Sequence, residues 1–345
     1  MQKLSFVSTV VGSFPRKNTI ENMKLSFNDE ISAGIDFPCY PQLVSMIDQF
    51  LKPLSNDPNS GLIFEQGKYI LQSDLKIPSK IPAETIEYGK FVLNFFKENP
   101  TIRNKIKGWK ACLTGPFTLA SEIHIPENLT RGKRSIVFKE PRAIMVKSIV
   151  EKLAKYMSEI AKEYDSMGAS IISMDEPILG LIIGKQKIFF YERDEIIDIL
   201  NIAIRLISKY SSIHVCGTIS KSLVDILMQT NVKILDHEFT NGLNSGIFNK
   251  SQLSESDKSL AYGVIESNVK FIEKAKIDDY VEPISLIESR IIKAVDDIGK
   301  ESLIFKPDCG FGGLLKTFGE EIGSEIVKRK LTNLCIAIKN LKNKL

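Results

Sequence analysis

Histidine is scarce in this chain, with three among 345 residues, and cysteine is little commoner, with five. No window reaches the roughly 18 unbroken apolar residues that a membrane-spanning helix needs, which excludes a membrane partner of that kind. Charge is not segregated either: 46 basic and 42 acidic residues are interspersed and leave a formal charge of +4. With no basic stripe interleaved with aromatics, nucleic acid is excluded as a partner. The opening residues, Met1-Gln-Lys-Leu-Ser-Phe-Val, carry one basic residue ahead of an apolar run, but no small-residue cleavage site follows, and the expected location is the cytoplasm. Cysteines in a long chain without an export signal are metal ligands or core residues rather than a disulfide framework. No linker composition and no internal repeat interrupts the chain, so a single domain over 1–345 is expected.

What is present is an alternation. Short β-branched runs stop at polar or glycine residues and are followed by stretches of helical spacing, the pattern of βα units. The predicted strands are Phe6–Gly12, Trp109–Thr114, Ala169–Asp175, Ile213–Cys216, Val232–Glu238, Leu260–Ile265 and Leu303–Asp308, with a weaker eighth near Ile31–Pro38. The clearest predicted helices are Pro141–Met167 and Glu192–Tyr210. Seven or eight such units predict an α/β fold, a (β/α)₈ TIM barrel, whose functional residues sit at the C-terminal ends of strands. Gly12-Ser13, Thr114-Gly-Pro116, Asp175-Glu-Pro177, His214-Val-Cys216, Asp236-His-Glu238 and Asp308-Cys-Gly310 all fall at such ends. A doubly wound sheet is the alternative, but it gathers function at one switch point. The proline-rich segment 38–82 is expected to be an excursion or lid.

His214 and Cys216, two apart on a strand, point the same way. Glu238 ends the next strand, and Cys309 the last. One imidazole, two thiolates and a carboxylate suit tetrahedral Zn²⁺, and ligands scattered over separate strand tips read as a catalytic rather than a structural site. Such a shell leaves the metal with net negative charge and a poor Lewis acid, which disfavours hydrolysis. It still strips the proton from an added thiol and leaves that sulfur nucleophilic, so alkyl transfer to sulfur is the expected chemistry. His237 should face away from the metal, His124 lies on a loop, and Cys39, Cys112 and Cys335 are expected to be structural.

Together, Val10-Val-Gly-Ser-Phe-Pro-Arg16, Leu113-Thr-Gly-Pro-Phe-Thr118, Met174-Asp-Glu-Pro177, His214-Val-Cys216, Asp236-His-Glu238 and Pro307-Asp-Cys-Gly310 resemble, in order, the catalytic domain of the cobalamin-independent methionine synthase family. The resemblance implies a methyltransferase of methionine biosynthesis that binds homocysteine as a thiolate on zinc held by His214, Cys216, Glu238 and Cys309. It implies that Gly12 and Ser13 meet the substrate carboxylate and Asp175 its ammonium group, a task Glu176 could also fill. The family's proton-delivering histidine is replaced within Gly263–Asn268, where Glu266 is the substitute for proton delivery. The implied methyl donor is a methylated pterin (methyltetrahydrofolate or its archaeal analogue), or methylcobalamin carried on a corrinoid protein. The chain is about one barrel long, against the family's two, so a separate subunit in place of the N-terminal barrel is a further expected partner. The basic cluster Arg131, Lys133, Arg134 would receive an anionic donor tail or an acidic protein. The rival readings are methylation of another thiol such as coenzyme M, or a non-catalytic zinc-bearing subunit of a split synthase.

Overall fold

Runs such as Ile171-Ile-Ser-Met-Asp175 bury every residue, as strands covered on both faces do. The computed structural model describes residues 3–130, 132, 137–342 and 344–345. Its strands are β1 (Val7–Ser8), β2 (Leu62–Glu65), β3 (Lys68–Leu71), β4 (Lys110–Thr114), β5 (Ile123–His124), β6 (Ile171–Asp175), β7 (Tyr210–Val215), β8 (Ile234–His237), β9 (Ser259–Ile265) and β10 (Leu303–Pro307). Seven of them form a parallel sheet in the order β1-β10-β9-β8-β7-β6-β4.

The two edges of that sheet are joined by a short extended segment. Phe37 bridges Thr9 beyond β1, and Cys39 bridges Lys110 on β4, both in parallel. The Phe37 N–H donates to the Ser8 carbonyl at 3.0 Å, and the Lys110 N–H to the Pro38 carbonyl at 2.8 Å. Residues 37–39 therefore occupy the eighth place of a curled α/β barrel. The weak strand expected at Ile31–Pro38 begins too early: residues through Ala33 belong to helix Ile20–Ala33, which Gly34 ends in the left-handed conformation. Pairing within β1 is likewise shorter than expected, because the chain beyond Ser8 meets its neighbours at single bridges, Thr9 to Phe37 and Ser13 to Gln42.

The predicted helices shrink at their ends. Helix Lys147–Ser166 buries Ile149, Val150, Leu153, Ala154, Met157, Ile160, Ala161 and Tyr164 along one stripe. Residues before it are taken by a bridge from Arg142 to His124 and a 3₁₀ turn at Ala143–Met145. Helix Arg193–Ile204 opens with a reciprocal cap between Glu192 and Glu195, and the predicted residues beyond it form the turn that leads into β7 at Tyr210. The 38–82 segment is ordered: helix Asp48–Ser55 precedes the antiparallel β2–β3 hairpin, turned at Gln66-Gly67 with both φ angles positive, and β5 pairs with β3. Among the described residues no helix is long and apolar enough to cross a membrane.

The barrel interior is layered. Val7, Phe37, Ile171, Ile234, Ala261 and Ile304 pack into a small apolar cluster of their own, separate from the main core under the helices. Two residues further along the same strands, on the same face, stand Thr9, Ser173, Asp236, Gly263 and Lys306. The floor is hydrocarbon, and the layer above it is charged.

Candidate metal centre

Register places Asp175, His214 and Asp236 side by side on β6, β7 and β8. Cys216 follows β7 and Cys309 lies two residues past β10. The His214 Nε2 is 2.9 Å from Cys216 Sγ and 3.7 Å from Cys309 Sγ, and the two sulfurs are 3.2 Å apart. Of the four residues expected to ligate, these three bring one ligand atom each within 4.8 Å of one another. Glu238 stays outside that group. It follows the last residue of β8, is half-buried, and takes the Gly217 N–H on its carboxylate; burial still raises its pKa. It nonetheless lines, with Cys309, Gly310 and Glu266, a cleft of about 560 Å³.

Electrostatics at the three ligands favour a cation. The hydrogen bond from Cys216 and those to His214 hold Cys309 well below the usual thiol range, and the same sulfur–sulfur bond, with burial, pushes Cys216 up. Burial opposes a charged His214 ring, but its interactions with Cys216 and the Asp236 carboxylate raise its pKa well above the usual imidazole range. An imidazole nitrogen and two sulfurs at contact, beside a cleft that Glu238, Glu266 and Asp308 line, fit zinc.

Asp175 is 6% exposed and accepts from Ser173 Oγ at 2.7 Å; burial pushes its carboxyl up to about 6 against the pull of His214 and Lys110. Glu176 does not share this rim. It is fully buried, and its oxygens accept from Phe117 N–H at 2.9 Å, Thr118 N–H at 2.8 Å and Thr118 Oγ1 at 2.7 Å. Its carboxylate therefore anchors the N-terminus of helix Pro116–Glu122, and burial pushes it to about 7. Three donors already stand on its two oxygens, so Asp175 is the freer of the two carboxylates to meet an ammonium group.

Gly12 has φ +126°, and a Cβ there would stand 2.9 Å from Cys39 Sγ, so only glycine fits the wall. Ser13 reaches across to the loop after β10: its carbonyl accepts from Phe311 N–H at 2.9 Å and its Oγ from Gly312 N–H at 3.1 Å. That contact puts the β1 tip next to the Cys309 loop. Glu266, just past β9, is exposed on the cleft, with its N–H bound to Glu282 Oε1 at 2.8 Å. His237 faces the other way, stacked on Phe248 at 5.7 Å, and burial lowers its pKa to about 3. Cys39 and Cys112 are fully buried 3.4 Å apart, and Cys335 packs near Gly34. Arg131, Lys133 and Arg134 lie outside the described residues.

Three buried groups carry weight that the sequence did not assign: Asp236, Lys110 and Lys306. The available signal was a lysine inside an apolar strand, as in Leu303-Ile-Phe-Lys-Pro307, which demands a buried partner.

Comparison with known proteins agrees with this architecture. The methionine synthase of Methanothermobacter thermautotrophicus is 26% identical over 325 residues, covering 88% of this chain and 92% of that protein. The methionine synthase of Methanocaldococcus jannaschii is 25% identical over 329 residues, with the same two coverages of 88% and 92%. Among solved structures, a B12-independent methionine synthase from Shewanella sp. W3-18-1, in complex with selenomethionine, superposes with a TM-score of 0.68 at 16% identity over 99% of each chain. A methyltransferase from Methanosarcina mazei gives 0.60 at 13% identity, over 99% of this chain and 95% of that one. These likenesses show the barrel fold. Residues 104–330, more than half of the chain, match the model of the cobalamin-independent synthase catalytic domain. The chain therefore belongs to the cobalamin-independent synthase family, through its catalytic domain, and is a methyltransferase.

Proposed function

We propose that this chain methylates the sulfur of homocysteine to give methionine, with Zn²⁺ held by His214, Cys216 and Cys309 and with Glu238 beside them. The observation that carries the reading is the convergence of one imidazole and two sulfurs from β7 and the end of β10 at the mouth of a cleft. The relatives' names supply the substrate, and the chain's coverage of 92% of the two archaeal methionine synthases favours an enzyme over a non-catalytic subunit. Zinc, when bound, supplies the positive charge that makes a substrate thiol acidic near neutral pH.

The chain's own residues do the rest. The turn at Gly12-Ser13, held against the Cys309 loop, offers backbone to a carboxylate. Asp175, buried with one oxygen on Ser173 Oγ, accepts the ammonium group. Two grips on one amino acid fix the direction in which its sulfur points, which is how orientation lowers a barrier. Glu266, on the same cleft as Cys309, stands where a methyl donor enters and delivers a proton to a pterin nitrogen; a corrinoid donor needs no such acid. The 38–82 segment, as a proposal, covers the mouth, and the whole chain acts as one domain.

The test presents zinc-loaded protein with homocysteine and a panel of donors comprising methyltetrahydrofolate, a methylated archaeal pterin and methylcobalamin, and scores methionine. Product from one donor identifies it. No product from any, with coenzyme M methylated instead, would replace the substrate; no thiol methylated at all would favour a subunit.

A further inference from the structure

The charged layer beneath the ligands has no task in the reading above, and its bonds have a particular form. Asp236 is wholly buried. Its Oδ1 receives His214 Nδ1 at 2.6 Å and Lys306 Nζ at 2.8 Å, and its Oδ2 receives Lys110 Nζ at 3.1 Å. Lys306 Nζ also donates to the carbonyls of Pro307 at 3.0 Å and Asp308 at 2.8 Å, the two residues before Cys309. A single carboxylate oxygen thus joins the imidazole on β7 to the peptide that carries Cys309 beyond β10.

Two ammonium groups and a carboxylate are expensive to bury, and an apolar filling of the same volume is often as stable or more so. The hydrocarbon floor one layer below demonstrates that this barrel can be filled that way. Geometry explains the departure. A carboxylate only accepts, so Nδ1 carries a proton towards Asp236, and Nε2, facing Cys216 and Cys309, is the ring nitrogen a metal would take. Lys306, by holding two successive carbonyls, fixes where the next residue's sulfur lies. Outer partners of this kind orient metal ligands and typically change affinity by about 10–100-fold.

We propose that Asp236 and Lys306 are positioning residues that set the spacing of His214 and Cys309 as one unit, with Lys110 balancing their charge. The inference rests on the metal reading of His214, Cys216 and Cys309, and its test separates the two. The probe is Co²⁺ added to the full chain, read by its thiolate charge-transfer and d–d absorption and by competition with a chelator. The double variant Asp236→Asn/Lys306→Met removes one charge of each sign and so keeps the net charge of the layer. Folded to the wild-type far-UV circular dichroism, it should bind Co²⁺ about 10–100-fold more weakly, with an altered d–d envelope. Lys306→Met alone, which leaves Asp236 on Lys110 and His214, provides a second route and should weaken binding in the same direction. Ile304→Ala, in the floor, should leave affinity and spectrum unchanged.

Wild-type protein without a thiolate charge-transfer band sinks the ligand reading and this inference with it. A wild-type band that Cys309→Ser diminishes, alongside a Lys306→Met protein of unchanged affinity and spectrum, overturns the positioning role and leaves the ligands standing. Equal weakening by Ile304→Ala would also overturn it, because general loosening would then explain the effect.

Discussion

The floor of the barrel and the layer above it are built from the same strands, two residues apart, and obey opposite rules. Ile234, Ala261 and Ile304 fill space and need nothing from one another but contact. Asp236 and Lys306, next along the same faces, each depend on named partners from distant strands. The lower layer is the kind that tolerates exchange among similar volumes. In the upper layer, removing one partner strands a buried charge. Stability is therefore concentrated below and chemistry above.

The sharpest break in that contrast should come at the ligands. Cys309→Ser is expected to lower methyl transfer by more than about a hundredfold, beyond what loss of an outer partner costs, with zinc content falling in parallel. Retained activity with retained zinc would move the chemistry elsewhere. Next in size, Ile304→Ala should cost about 2–5 kcal/mol in urea unfolding through the cavity it leaves, while turnover per folded molecule stays at the wild-type value. Should turnover drop with it, the two layers are not separable.

Two pH effects are smaller. Burial raises the folded pKa of Glu176 from 4.5 to about 7, so the native state holds its proton over that window when the unfolded chain has released it. Glu176 therefore subtracts stability as pH rises from about 4.5 to about 7, and Glu176→Gln should remove that downward slope from the urea midpoint; parallel slopes would refute the assignment. His237 acts in the other direction. Its folded pKa is lowered from 6.5 to about 3, so the stability it contributes is complete above about 6.5 and is lost as pH falls towards 3. His237→Phe should flatten the acid limb slightly, since the ring's stacking on Phe248 is retained. An unaltered limb would mean that this ring titrates normally.

How much of this was legible follows from how local each signal is. The runs at Trp109–Thr114, Ala169–Asp175 and Leu260–Ile265 are buried on both faces, and their β-branched composition announces them. The eighth barrel position is only residues 37–39, contains Pro38, which cannot donate, and is held by single bridges, so no periodicity could develop. His214 and Cys216 were readable from strand alternation and Cys309 from its place past a strand end, because those cues lie within a few residues. Glu176 is less local: its acid-turn context looks like a ligand site, while three donors from residues 117 and 118, which the sequence does not announce, stand on its oxygens. Asp236 could be located on a strand, but its union with Lys306 and Lys110 spans separations of 70 and 126 residues in the first place only through barrel closure.

The short bridge at residues 37–39 has a last consequence. A cylinder whose first and last staves meet through so few amides should breathe there soonest, and the Phe37 and Tyr40 N–H groups should exchange with deuterium ahead of those in β7 and β8. An amino acid gripped at Gly12-Ser13 on one side of that gap and by Asp175, on β6 beyond β4, on the other would act as a rivet, slowing the same exchange whenever the site is filled.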